Sequence, residues 1–161
     1  MGDLKKSGNQ ALLTDRSSGF ILRLRQIERL TGAVLRRLNL RNTLVSVVFV
    51  SDAKMKRLNQ KYLNHPWTTD VLAFPFSNGA LGRTRAGAVR FLGEIIICPK
   101  QAELYAKEQG FPTAEELFRY LCHGILHLIG YSDRSGAAKK KMRRMEDRLI
   151  KQFTSKLKRI I

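Results

Sequence analysis

Cysteine is nearly absent from this sequence: Cys98 and Cys122 are the only two, far apart and in no C-x-x-C arrangement. That excludes a disulfide framework and a four-cysteine zinc site, and it leaves two reduced, buried thiols with no disulfide partner. No apolar stretch approaches the roughly 20 residues of a membrane span. Acidic residues are scarce, with 13 Asp and Glu against 30 Lys and Arg and a formal net charge of +17. Such an excess is far beyond what solubility requires and points to a polyanionic partner; without a membrane span, nucleic acid is favoured over an anionic membrane. The first stretch, MGDLKKSGNQALLTDRSSG, lacks the apolar core and the A-x-A-like cleavage site of a secretory signal, and Lys6 spoils a myristoylation pattern. A flexible basic segment over 1–19 and a cytoplasmic location are the expectations.

What is present suits one compact domain over 20–161, since 43% of the 161 residues are hydrophobic. Leu24, Ile27, Val34 and Leu38 recur at helical spacing between Phe20 and Leu40, which predicts an amphipathic helix. LVSVVFV at 44–50 predicts a buried strand, and Ser51-Asp52 caps the helix that follows. VLAFPF at 71–76 predicts a second strand, ended by Pro75. Residues 77–90 hold several glycines and arginines without periodicity and predict a mobile basic loop. FLGEIIIC is a third apolar run, and Pro99 opens a helix that Gly110 closes. Thr113 with Glu116 has the spacing of a capping box at the start of the next helix. After Gly136 one long helix carries an apolar stripe of Met142, Met145, Leu149, Phe153, Leu157 and Ile160. The class is α+β: a small mixed sheet of about four strands packed with some five helices.

The segment LFRYLCHGILHLIG is apolar nearly all round apart from Arg119, His123 and His127, so this helix belongs at the centre of the domain. His123 and His127 stand four apart, on one helical face and one turn from each other, close enough to share an ion. Gly130 permits the left-handed turn that lets Asp133, the nearest carboxylate, approach both rings. Two His and one carboxylate leave a fourth tetrahedral position open, the pattern of a catalytic zinc with water bound near neutral pKa. A pair of core histidines hydrogen-bonded to backbone or carboxylate is the plain alternative. Gly124 occupies the place where a zinc protease of the HExxH type carries its glutamate, which disfavours that class. Cys122 adjoins His123 in sequence, but neighbouring helical residues do not face each other, so its thiol is a spectator.

At these residues the chain resembles the YbeY family of bacterial endoribonucleases. HGILHLIGYSD resembles the family's metal motif HGxLHLxGYDH, Thr69 to Pro75 resembles its TDVLSFP strand, and Leu92-Gly93-Glu94-Ile95 resembles its LGDI strand. The motifs occur in family order and span about residues 44–150. The resemblance implies one zinc ion on His123, His127 and Asp133. It also implies single-strand-specific, zinc-dependent cleavage in rRNA maturation, at the 16S rRNA 3′ end, and in ribosome quality control. RNA, small-subunit rRNA and the ribosome are then the partners. Two positions depart from the pattern: Asp133 stands where the family has its third histidine, and Leu63 follows Tyr62 where the family tends to have an arginine. An anionic third ligand makes bound water less acidic, and Lys61 or an arginine of the 77–90 loop would have to replace the missing cation.

Two basic patches are candidates for RNA. Residues 136–161 hold ten Lys or Arg and two acidic residues, with Lys139, Lys140, Lys141, Arg143 and Arg144 at their densest point. Arg83, Arg85 and Arg90 form the second. Such contacts hold phosphates without reading sequence. Two rivals remain: a metal hydrolase of another substrate, and a non-catalytic RNA- or ribosome-binding factor with a structural metal.

Overall fold

The computed structural model describes residues 8–76 and 88–161. Its regular elements, in chain order, are β1 (Gln10–Arg16), α1 (Leu24–Arg37), β2 (Thr43–Val50), α2 (Asp52–Leu63), β3 (Val71–Pro75), β4 (Arg90–Ile97), α3 (Pro99–Gln109), α4 (Thr113–Leu128) and α5 (Gly136–Leu157). One sheet has the order β1-β2-β4-β3, in which β1, β2 and β4 run parallel and β3 pairs antiparallel with β4. The fold is therefore α+β with a mixed sheet. No helix among the described residues is long and apolar enough to cross a membrane.

Alternation builds the sheet's inner face. Thr43, Val45, Val47 and Phe49 of β2 are buried on one side, while Leu44, Ser46 and Val48 are half-buried on the other. Their β-branched side chains suit a strand flanked on both edges. α4 packs across this inner face with Leu117, Phe118, Leu121, Cys122 and Ile125 in the core, against α1 (Val34, Leu35) and α5 (Leu149, Phe153). A smaller cluster of Val50, Met55, Leu72, Ile96 and Cys98 joins α2 to the opposite face.

Within the segment 1–19 expected to be flexible, residues 10–16 form a paired strand, while residues 1–7 lie outside the described residues. Residues 10–16 pair in register with residues 44–50, and Asn9 ties the strand's start through its side chain to Leu40 O and Thr43 N. Only Ala11 of this edge strand is buried. The first helix is also shorter than its apolar spacing predicts, because Arg23 N–H donates to Ile160 O outside the helix and Asn39 turns to φ 58° just after it.

Two glycines set how closely the layers approach. A Cβ on Gly124 would come within 2.5 Å of the Ile95 side chain, so the bare backbone lets α4 lie directly on β4. Gly93 follows a bulge in the β2–β4 register and has φ +146°, where a Cβ would meet Phe74 O at 2.2 Å. Gly93→Ala is expected to destabilise the protein by about 2–4 kcal/mol, from backbone strain plus overpacking against a backbone atom. A fall in the urea midpoint with unchanged slope checks it.

Candidate metal centre

The site grows from α4. Thr113 does not cap this helix; Pro112 occupies the N-cap with no side-chain hydrogen bond, and the capping box is not formed. Its Glu116 turns inward instead, buried, with Oε2 3.6 Å from Arg119 Nε. Arg119, His123 and His127 follow at intervals of four on one face, which presents a polar stripe from an otherwise apolar helix. At the helix end, Gly130 with φ +98° completes a Schellman turn: Gly130 N–H donates to His127 O and Tyr131 N–H to Leu126 O. The chain reverses there and brings Asp133 back over the imidazoles.

The three predicted ligands converge. His123 Nε2 and His127 Nε2 are 2.9 Å apart, and Asp133 Oδ2 is 4.0 Å and 3.7 Å from them. Each imidazole spends its other nitrogen on an acceptor: His123 Nδ1–H donates to Glu146 Oε1 at 2.7 Å, and His127 Nδ1–H to Tyr131 O at 3.1 Å. Protons at both Nδ1 atoms leave two Nε2 lone pairs facing one another. Such lone pairs repel unless a cation or a shared proton lies with them. Two imidazole nitrogens and a carboxylate, with the second nitrogen of each ring held by an acceptor, form a donor set that could hold a metal ion.

Charges around the triad are arranged unequally. Burial pulls the His123 imidazole down, but the hydrogen-bonded Glu146 carboxylate outweighs it and holds the ring above its ordinary range. Burial and the neighbouring His123 hold His127 below its ordinary range. Arg119 donates from Nη1 to Asp147 Oδ1 at 2.7 Å and lies 3.5 Å from Glu146 Oε2, so it links α4 to the carboxylate that grips His123. Burial raises the Glu116 carboxyl against the pull of Arg119. A carboxyl raised in this way favours the folded state below its ordinary pKa and loses that contribution as pH rises through the shifted value. Glu116→Gln is therefore expected to raise Tm at pH 7 and to leave it unchanged near pH 4, as thermal scans at the two pH values would show.

A cavity of about 540 Å³ opens beside the triad, lined by Asp70, Glu116, Arg119, His123, Asp133 and Glu146 and rimmed by Lys139, Lys140 and Arg143. Three of the residues expected to contact RNA thus line the cavity beside the candidate metal site. Lys141 sits instead with its ammonium 5.5 Å above the Tyr131 ring, and exposed Arg144 does not line the cavity. Arg90 begins β4, half-buried, and does not line it either. Arg83 and Arg85 lie outside the described residues. Lys61 is exposed, with its ammonium 5.1 Å from the Tyr62 ring, and neither it nor Leu63 lines this cavity.

Sequence reasoning missed Glu146 and Asp70. Glu146 carried a signal: it lies four residues after Met142 and three before Leu149, a carboxylate on the apolar stripe of α5. Asp70 stands within the Thr69–Pro75 motif, but that motif reads as a strand and gives the carboxylate no role at the site. Both cysteines are free and buried. Burial pushes both thiols up, most strongly the fully enclosed Cys122, so neither is expected to react with a disulfide reagent at pH 8 until guanidinium unfolds the chain.

Two imidazole nitrogens from a buried helix and a carboxylate from the turn after it, beside a cavity with a basic rim, form a candidate metal site of the kind hydrolases use, on a small α+β fold. Comparison with known proteins carries this further. The family model described as endoribonuclease YbeY matches residues 17–154. The endoribonuclease YbeY of Aquifex aeolicus is 30% identical over 158 residues, covering 98% of this chain and all of that protein. That of Thermodesulfovibrio yellowstonii is 44% identical over 108 residues, covering 66% of this chain and 65% of that protein. A Thermotoga maritima protein solved in solution superposes with a TM-score of 0.60 at 25% identity, over 90% of this chain and 92% of its own. The chain belongs to the YbeY family of endoribonucleases, hydrolases that act on RNA.

Proposed function

We propose that this chain is a zinc-dependent, single-strand-specific endoribonuclease that acts in the cytoplasm on small-subunit rRNA, trimming the 16S rRNA 3′ end and serving ribosome quality control. The observation that carries the reading is the convergence of His123 Nε2, His127 Nε2 and Asp133 Oδ2, all within 4.8 Å of one another, at a cavity with a basic rim.

Those three atoms would hold the ion. Held by them, a zinc ion would supply Lewis acidity toward a phosphoryl oxygen and a water made acidic toward a pKa of about 7. The chain's own residues do the rest. Glu146 and the Tyr131 carbonyl fix the two imidazoles in the tautomer that presents Nε2. Lys139, Lys140 and Arg143 bind the phosphates and neutralise charge that develops on the scissile group. The cavity has the size of a small-molecule site, suited to one splayed nucleotide of a single strand rather than to a duplex.

The test joins elemental analysis with one substitution. Purified protein is expected to carry about one zinc per chain. Asp133→Ala is expected to lose that zinc and the cleavage of a 16S 3′ precursor while still sedimenting with ribosomes. Zinc-free, fully active protein would overturn the metal reading. Unimpaired cleavage in Asp133→Ala would remove this residue from the site. Zinc-loaded parent protein that sediments with ribosomes but cleaves no precursor would leave a binding factor with a structural ion.

A further inference from the structure

We infer that His65 and Trp67 form a base-stacking platform that receives the single-stranded RNA flanking the metal cavity, an inference that rests on the proposed RNA substrate. The two rings stack with centroids 4.7 Å apart and planes 16° from parallel. Trp67 is 58% exposed, in a stretch over 60–67 that is exposed throughout. An indole laid open to water in this way has a free face and a large apolar area, the property that nucleic-acid platforms use to take a base.

The platform is held in place from below. Asn59, buried in α2, donates from Nδ2 to Trp67 O at 2.8 Å. Asn64 closes α2 in the left-handed conformation, with φ 58°, and His65 N–H reaches back to Asn59 O. Thr68 Oγ1 donates to Asp52 O. The loop is thus fixed at both ends, which keeps the ordering cost of base capture low.

Charge and position select the occupant. Residues 53–69 hold Lys54, Lys56, Arg57 and Lys61 and no acidic residue, and all four cations are exposed. Basic side chains interleaved with exposed aromatics suit a single strand, whose phosphates and base faces are both accessible. Asp70 lines the metal cavity only three residues after Trp67, a chain span of at most roughly 11 Å. A strand with one base on the indole therefore lies within reach of the cavity.

Trp67 is the only tryptophan of the chain, so all indole emission reports on this position. The experiment titrates the zinc-loaded full chain with a short oligoadenylate, following tryptophan emission and, in parallel, the anisotropy of an end-labelled strand. Saturable quenching by the oligoadenylate but not by inorganic polyphosphate is expected. Trp67→Ala is expected to weaken binding roughly tenfold, His65→Ala less, and Trp67→Phe to stay close to the parent. Anisotropy that reports binding without quenching, with Trp67→Ala binding like the parent, overturns the platform, leaves the RNA reading intact and gives the aromatic pair to a protein partner. Equal quenching by polyphosphate also overturns it. Absence of any binding by anisotropy overturns the RNA reading and the platform with it.

Discussion

His127→Ala is expected to strip zinc from the protein and to reduce cleavage of single-stranded RNA at least about a thousandfold. The size follows from what the ion would supply: bound water would be made far more acidic, toward a pKa of about 7, and a substrate phosphate would gain a Lewis acid. Catalytic zinc sites keep three protein ligands, and this substitution leaves only His123 and Asp133. His127 is the better prepared imidazole of the two. Burial and His123 hold it below its ordinary range, so its Nε2 is free of a proton at neutral pH. The fold has little to lose. The hydrogen bond from Nδ1 to Tyr131 O and the 2.9 Å Nε2 contact with His123 disappear from a half-buried side chain, a cost of about 1 kcal/mol. Elemental analysis, cleavage of a labelled strand and a thermal scan separate the effects. RNA binding through Lys139, Lys140 and Arg143 is expected to persist and to weaken with salt. Zinc retained at full stoichiometry would sink the three-ligand site.

The parts of the fold legible in the sequence were those whose local pattern agrees with their tertiary surroundings. α4 is apolar almost all round because it is buried almost all round, and its two histidines stood out against that background. Gly130 and Asp133 were readable for the same reason, since a left-handed turn at the helix end has one favoured residue. β1 was not readable. Six of its seven residues keep solvent contact, so no alternation marks it, and its pairing with β2 is a long-range fact. The capping box failed because Pro112 already supplies extended backbone at the N-cap, with ψ 133°, which frees Glu116 to face Arg119. The basic patches show the limit of charge counting. Lys139, Lys140 and Arg143 point into the cavity while Lys141 and Arg144, their neighbours on the same helix, do not, because a helix turns successive side chains to different sides.

Glu146 is the residue through which α5 reaches the candidate metal centre, holding His123 Nδ1 at 2.7 Å, and two substitutions there are expected to give graded losses. Glu146→Gln keeps an oxygen to accept from His123 Nδ1–H but removes the charge that makes His123 a stronger base, so zinc affinity is expected to fall about tenfold. Glu146→Ala removes both the charge and the acceptor and frees the ring to rotate, so the fall is expected to approach about a hundredfold. Stability moves differently. Glu146 is 4% exposed, and its Oε2 lies 3.5 Å from Arg119 Nη1 and 3.7 Å from Arg143 Nη1. Stripping a buried ion pair of one member costs about 3–5 kcal/mol when the remaining charge is orphaned. Arg119 is not orphaned here, since Asp147 accepts from it at 2.7 Å, and a loss of about 1–3 kcal/mol is expected for the alanine variant instead. Competition with a zinc-binding dye gives the affinities, and denaturant melts give the stabilities. If Gln and Ala lowered zinc affinity equally, the charge rather than the hydrogen bond would be the whole contribution. If neither lowered it, His123 would be held by the packing of α4 alone.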